Sequence, residues 1–136
     1  MNDHINNILA VDTSGVAGQE GKKAYKVLVV DDNLVNVKVL DIRLKKEGVD
    51  TVCLTDSTKA IEVIKEHGDF DLALLDVIMP EVSGLDLLKE IRELYSTMEL
   101  PVIMVTAKVE NQDLIEALRV GANDYITKPI DFQIAW

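Results

Sequence analysis

Asp71–Gly84 reads DLALLDVIMPEVSG. Leu72 to Leu75 form an unbroken apolar run, which suits a strand buried on both faces. The run ends on Asp76, an acid that core packing does not call for. Pro80 lacks an N–H and has a fixed φ, so a strand cannot continue past it. Ser83-Gly84 then lead into a helical pattern. Asp76 is therefore expected at the carboxyl end of a central strand, on the edge of a loop. In open α/β sheets that rim is where ligands bind.

Upstream, Val27–Val30 (VLVV) is a second run of the same kind, ending in Asp31-Asp32-Asn33. A helical pattern follows from Leu34 to Glu47. It carries two stripes, Val35/Val39/Ile42 and Val37/Leu40/Leu44, which predict a helix covered on more than one side. Gly48 is placed to end it. Asp50–Leu54 reads as a shorter strand near a sheet edge. Ser57 is expected to cap the next helix, with Ala60, Ile61 and Ile64 inward and His67-Gly68 at its end.

Downstream of Gly84, the spacing of Leu85, Leu88, Ile91 and Leu94 predicts a helix to Tyr95. Pro101 opens a strand over Val102–Val105 that leads into Thr106-Ala107. Gln112–Val120 predicts a short helix with Leu114, Ala117 and Leu118 on one face, stopped by Gly121. Asp124–Thr127 predicts a fifth strand, running into Lys128-Pro129. Five strands alternating with helices imply an α/β fold, a doubly wound five-stranded parallel sheet.

At 136 residues, with 48% hydrophobic content and a mean hydropathy of +0.12, the chain fits one globular domain. Residues 1–24 are polar and contain Gly15, Gly18 and Gly21, so they read as an N-terminal extension or linker; the domain is expected over 25–136. The net charge of −10 and pI near 4.5 argue against direct nucleic-acid contact. No apolar run approaches the ~18 residues of a membrane helix, and no signal-peptide pattern opens the chain. The single Cys53 cannot form an intrachain disulfide, which fits a reducing cytoplasm, and it reads as core filler. His67, in the last turn of a helix, reads as a solvated residue favoured by the helix dipole.

Four of the five strands end in a polar group: Asp31-Asp32, Asp76, Thr106 and Lys128. In a parallel sheet these ends lie on one rim, so groups distant in sequence converge. Each alone has a plain structural explanation, such as helix capping or a turn; the convergence carries the functional argument. Two carboxylates at 4 Å repel by about 4 kcal/mol at an effective dielectric near 20. A proton or a cation must relieve that. The candidate ligands are all oxygens, which points to a hard cation, Mg²⁺. Lys128 supplies a point charge and Thr106 a hydroxyl, both suited to phosphoryl oxygens. A carboxylate nucleophile with these partners suits in-line phosphoryl transfer, giving an aspartyl phosphate on Asp76.

These residues resemble the response-regulator receiver domains of two-component signalling, over about Lys26 to Phe132. The resemblance rests on VLVVDDN, Asp76 with Met79-Pro80 and Gly84, Thr106-Ala107, Tyr125, and Lys128-Pro129. The spacings are 44 from Asp32 to Asp76, 30 to Thr106 and 22 to Lys128. The resemblance implies a flavodoxin-like strand order of 2-1-3-4-5 and a phosphoryl group taken from a phosphohistidine on a sensor histidine kinase or phosphotransfer protein. It implies Asp32 as direct metal ligand, Asp31 as ligand through water, and the Ile78 backbone carbonyl and Asp76 completing the site. Lys128 would contact Asp76 or its phosphate, its peptide to Pro129 being cis. Thr106 and Tyr125 would switch the helix 4/strand 5 surface. Ile78 and Lys108 would set the lifetime of the phosphate, and an apolar Ile78 predicts slow self-dephosphorylation.

Only Asp131–Trp136 remain for the family's last helix, which in the family packs beside helix one. The second apolar stripe of that first helix, with Ile130, Ile134 and Trp136, is therefore expected to be left under-covered as an exposed patch. The chain is thus expected to be a piece of a larger response regulator or hybrid kinase, with a covalently linked output or sensor domain. A helix-completing homodimer is the second choice. Three rivals to a phosphoaccepting switch fit less well. A haloacid-dehalogenase-type phosphatase would want an acid where Ile78 stands. A degenerate receiver would have lost an acid or the lysine, and none is lost. A flavin site would need a phosphate-cradling loop where Asp31-Asp32 stand.

Overall fold

The structure, a computed structural model, describes residues 25–77, 79, 81–106 and 111–128. Five strands, β1 (Lys26–Val30), β2 (Asp50–Leu54), β3 (Leu72–Asp76), β4 (Val102–Thr106) and β5 (Asp124–Thr127), form one parallel sheet in the order β2-β1-β3-β4-β5. Four helices connect them: α1 (Leu34–Lys46), α2 (Ala60–His67), α3 (Gly84–Leu94) and α4 (Asn111–Val120). A 3-10 turn, Ser57–Lys59, precedes α2. This is the flavodoxin-like order, with β1 and β3 central and β2 at an edge.

Strand side chains alternate between faces, and the core divides accordingly. Val27, Val29, Leu72, Leu74, Ile103, Val105 and Ile126 pack with Leu40 and Leu44 of α1. On the opposite face, strand residues that include Leu28, Val30, Leu75 and Met104 pack with side chains from α2, α3 and α4. Because β3 and β4 are covered on both faces, they read as continuous apolar runs.

In α1 the Val37/Leu40/Leu44 stripe is buried, and Val35, Val39 and Ile42 are half or more exposed, as expected of the stripe left under-covered. A second stripe signals a second neighbour, and among the described residues none covers it. Other local expectations change. Ser57 does not cap α2. Asp56 accepts from the Thr58 N–H and caps the 3-10 turn, while Ser57 is buried and donates its hydroxyl to the Val82 carbonyl at 2.7 Å. In α3 the buried side is Leu87, Leu88 and Ile91, and Leu94 is exposed. In α4, Ala117 is buried and Leu118 is exposed; the Leu114 side chain lies outside the described set. β4 includes Thr106, one residue beyond its expected end.

Cys53 is half-buried in the sheet edge, and burial, then the charge of Asp41, push its thiol up to about 11. At neutral pH it is a packing residue. His67 is exposed at the end of α2, where its Nδ1 accepts from Lys26 Nζ at 2.8 Å.

Candidate functional site

The carboxyl rim of the sheet gathers the predicted groups. Asp31 follows β1, Asp76 ends β3, Thr106 ends β4, and Lys128 follows β5. Parallel pairing aligns these ends. Val30 lies beside Leu54 and Leu75, Asp76 beside Val105, and Thr106 beside Thr127. The ladder continues one bond further, since the Lys128 N–H donates to the Thr106 carbonyl at 2.7 Å. That bond fixes the root of the lysine side chain.

Asp31, Asp32 and Asp76 each place a carboxylate oxygen so that all three lie within 4.8 Å of one another. Lys128 Nζ is 2.9 Å from Asp31 Oδ2 and 3.3 Å from Asp76 Oδ1. Asp31, Asp76 and Thr106 are buried, and Asp32 is exposed. The acids are not there to cap α1. Asn33 does that, its Oδ1 accepting from the Val35 and Asn36 N–H groups at 2.9 and 3.2 Å. Asp31 Oδ1 accepts from the Asn33 N–H at 2.9 Å, which orients that carboxylate toward the lysine.

Burial, then the charge of Asp31, raises Asp76 to about 6, with Lys128 pulling the other way. For Lys128, burial is the largest single influence and pulls downward. The hydrogen bond to Asp31 and the charges of Asp76 and Asp31 outweigh it, so its pKa ends raised. Three clustered carboxylates with one ammonium leave an excess of negative charge at this rim. Such an all-oxygen donor set fits a hard divalent cation.

The loop that carries Asp76 into α3 is held tightly. The Gly84 N–H donates to the Val77 carbonyl at 2.9 Å, and Ser57 holds Val82 from outside. Glu81 adopts a left-handed φ of 67°, which turns the chain back toward α3. A Cβ on Gly84 would lie 2.0 Å from the Asp76 carbonyl oxygen. Gly84 is thus required where α3 begins against the backbone of Asp76. Ser57 and Glu81 were missed from sequence. A serine after an aspartate reads as a cap, and nothing local marks a glutamate for positive φ.

Tyr125 is half-buried and packs against the core side that faces α2, α3 and α4. Ile78, Lys108 and Pro129 lie outside the described residues, as do 1–24 and 130–136. Among the described residues no helix is long and apolar enough to cross a membrane.

A doubly wound parallel sheet with an acid pocket and a lysine at its carboxyl rim defines a class of phosphate-handling signalling modules. The response regulator receiver domain family matches residues 27–134, and the chain belongs to that family. Solved structures agree. A response regulator receiver domain protein from Clostridium thermocellum is 29% identical with a TM-score of 0.73, covering 80% of this chain and 86% of that one. The match to a chain in the co-crystal of the Saccharomyces cerevisiae histidine phosphotransfer signaling protein Ypd1 with the receiver domain of its downstream response regulator Ssk1 has 28% identity and a TM-score of 0.72. It covers 82% of this chain and 83% of that one. A two-component system response regulator/GGDEF domain protein is 28% identical with a TM-score of 0.76; the match covers 80% of this chain and 44% of that longer one.

Proposed function

We propose that this domain accepts a phosphoryl group on Asp76 from a phosphohistidine of a sensor histidine kinase or phosphotransfer protein. The observation that carries the reading is the cluster of three carboxylates within 4.8 Å with Lys128 Nζ 3.3 Å from Asp76. An Asp76 oxygen attacks phosphorus as the P–N bond breaks, and the imidazole leaves with a proton. Lys128 and the Thr106 hydroxyl steady the phosphoryl oxygens. Asp31, Asp32, Asp76 and the Ile78 carbonyl would hold Mg²⁺, with Asp31 acting through water. Bound there, the ion would offset the negative charge that these carboxylates and an incoming phosphoryl group bring together. The yeast receiver–phosphotransfer co-crystal supports a phosphohistidine protein as donor.

Phosphorylation then adds negative charge beside Lys128 and Thr106. The hydroxyl of Thr106 draws toward it, Tyr125 turns inward, and the surface of α4 and β5 changes. The GGDEF-containing neighbour supports an output domain joined to the receiver. On this reading the domain is a signalling module whose only chemistry is gain and loss of its own phosphoryl group.

The direct test is incubation with acetyl phosphate and Mg²⁺ followed by intact mass. One added phosphoryl group per chain, dependent on Mg²⁺, is expected. Sustained phosphate release from diverse substrates would favour a phosphatase, and no gain in mass would leave a partner-binding domain. Lys128→Met removes the cation between Asp31 and Asp76, so the rate of uptake is expected to fall by about 10²-fold; a rate within twofold of wild type would assign the lysine no chemical role. With an apolar Ile78 unable to orient water and Lys108 the neighbouring lifetime position, the phosphorylated form should persist for many minutes once donor is removed. Decay within seconds in Mg²⁺ would refute that.

A further inference from the structure

Arg92, in the last turn of α3, reaches five oxygens. Its Nε donates to the Gly121 carbonyl at 2.7 Å, and one terminal nitrogen faces the carbonyls of Tyr95, Ser96 and Leu100 at 3.3, 3.2 and 2.9 Å. The other terminal nitrogen donates to Asn123 Oδ1 at 3.0 Å. Asn123 is itself pinned. Its Oδ1 also accepts from the Val102 N–H at 2.9 Å, its amide donates to the Thr97 carbonyl at 3.2 Å, and its N–H donates to the Val102 carbonyl at 2.8 Å. Together these bonds tie the end of α3, the connection to β4, the end of α4 and the start of β5.

This hub lies on the amino rim of the sheet, opposite Asp76 and Thr106. α4 therefore has one end near each rim. Its ten residues span about 15 Å. We propose that Arg92 is a positioning residue for the switch: it holds the far end of α4 and the backbone entering β5, so that motion begun at Thr106 pivots α4 about Gly121. The inference rests on the phosphoacceptor reading above.

Two features favour a pivot over a simple helix cap. Gly121 has φ of 130°, and a Cβ there would lie 2.9 Å from Arg92 Nε. The turn is thus shaped around the guanidinium. Tyr125 stands two residues past Asn123, and a side chain that swings needs a backbone that does not. Only a planar fork reaches carbonyls in several directions at once; a lysine ammonium does so poorly.

The test compares the full chain with Arg92→Met and Arg92→Lys by hydrogen exchange, with and without acetyl phosphate and Mg²⁺. In wild type, phosphorylation should alter exchange in the amino-terminal half of α4 and leave residues 121–125 unchanged. In Arg92→Met the phosphorylation-dependent change should extend through 121–125, with about tenfold faster exchange there, while uptake by intact mass stays within twofold. Arg92→Lys, which keeps the charge and most of the stem, guards against an unfolded variant and should show the same spread to a lesser degree. Loss of stability with an unchanged phosphorylation-dependent pattern would reduce Arg92 to a structural cap. Changes already spread over 121–125 in wild type would also overturn the pivot. Failure of wild type to take up phosphate would instead overturn the phosphoacceptor reading, and the pivot with it.

Discussion

Asp76→Asn is expected to abolish phosphoryl uptake and, without metal, to stabilise the fold. The first effect follows from chemistry, since the amide has no anionic oxygen to attack phosphorus. A single phosphoryl group still gained by the variant would place the acceptor elsewhere. The second follows from the carboxylate's surroundings. Its folded pKa of about 6 lies above the ordinary 3.8, chiefly because of burial and Asp31. A raised acid pKa means the folded state disfavours the ionised form. The penalty is therefore fully present above pH 6, shrinks as pH falls from 6 towards 4, and is gone below that. The rise from 3.8 to about 6 corresponds to about 3 kcal/mol. Urea melts in chelator should show Asp76→Asn more stable by about 2–3 kcal/mol at pH 7.5, the gap closing near pH 4. Equal stability at both pH values would mean the pocket carries no stored repulsion.

Gly84→Ala should be severe for a different reason. The added Cβ would meet the Asp76 carbonyl oxygen at 2.0 Å, and the Asp76 carbonyl carbon and Val77 Cα at 2.9 Å. All three are backbone atoms, held by the β3–β4 ladder and the Gly84–Val77 bond. No side chain can give way, so α3 must move. The expected cost is about 3 kcal/mol or more, and Asp76 should lose its alignment with Lys128. Gly48→Ala is the control. Its φ is 84°, but a Cβ there meets nothing within 4 Å, so it should cost only about 1 kcal/mol of left-handed strain. A Gly84→Ala melt within 0.5 kcal/mol of wild type, by the usual ±0.5 kcal/mol for unremarkable positions, would contradict the close approach.

The sheet was legible because its signals are local and redundant. VLVV and LALL are too apolar for anything but strands covered on both faces, and each connection shows helical spacing. The site was legible for a related reason. A parallel sheet puts all its carboxyl ends on one rim, so Asp31, Asp32, Asp76, Thr106 and Lys128 could be grouped before any distance was known. Where the sequence misled, the outcome depended on a neighbour that spacing does not reveal. Leu118 has the spacing of an inward residue beside Ala117, yet is exposed. Ser57 has the chemistry of a cap but is drawn inward to Val82.

The order of residues alone determined which groups sit at the strand ends and that their charges conflict. That follows from the unbroken apolar runs that mark the strands and from the parallel βαβ arrangement that puts their carboxyl ends on one rim. Tertiary structure alone decided how close those groups come. It set Lys128 between Asp31 and Asp76, put the backbone of Asp76 against Gly84, and gathered five oxygens around Arg92. Such contacts join residues from 3 to 97 positions apart. Their distances come from the packing of whole elements, which no local pattern encodes.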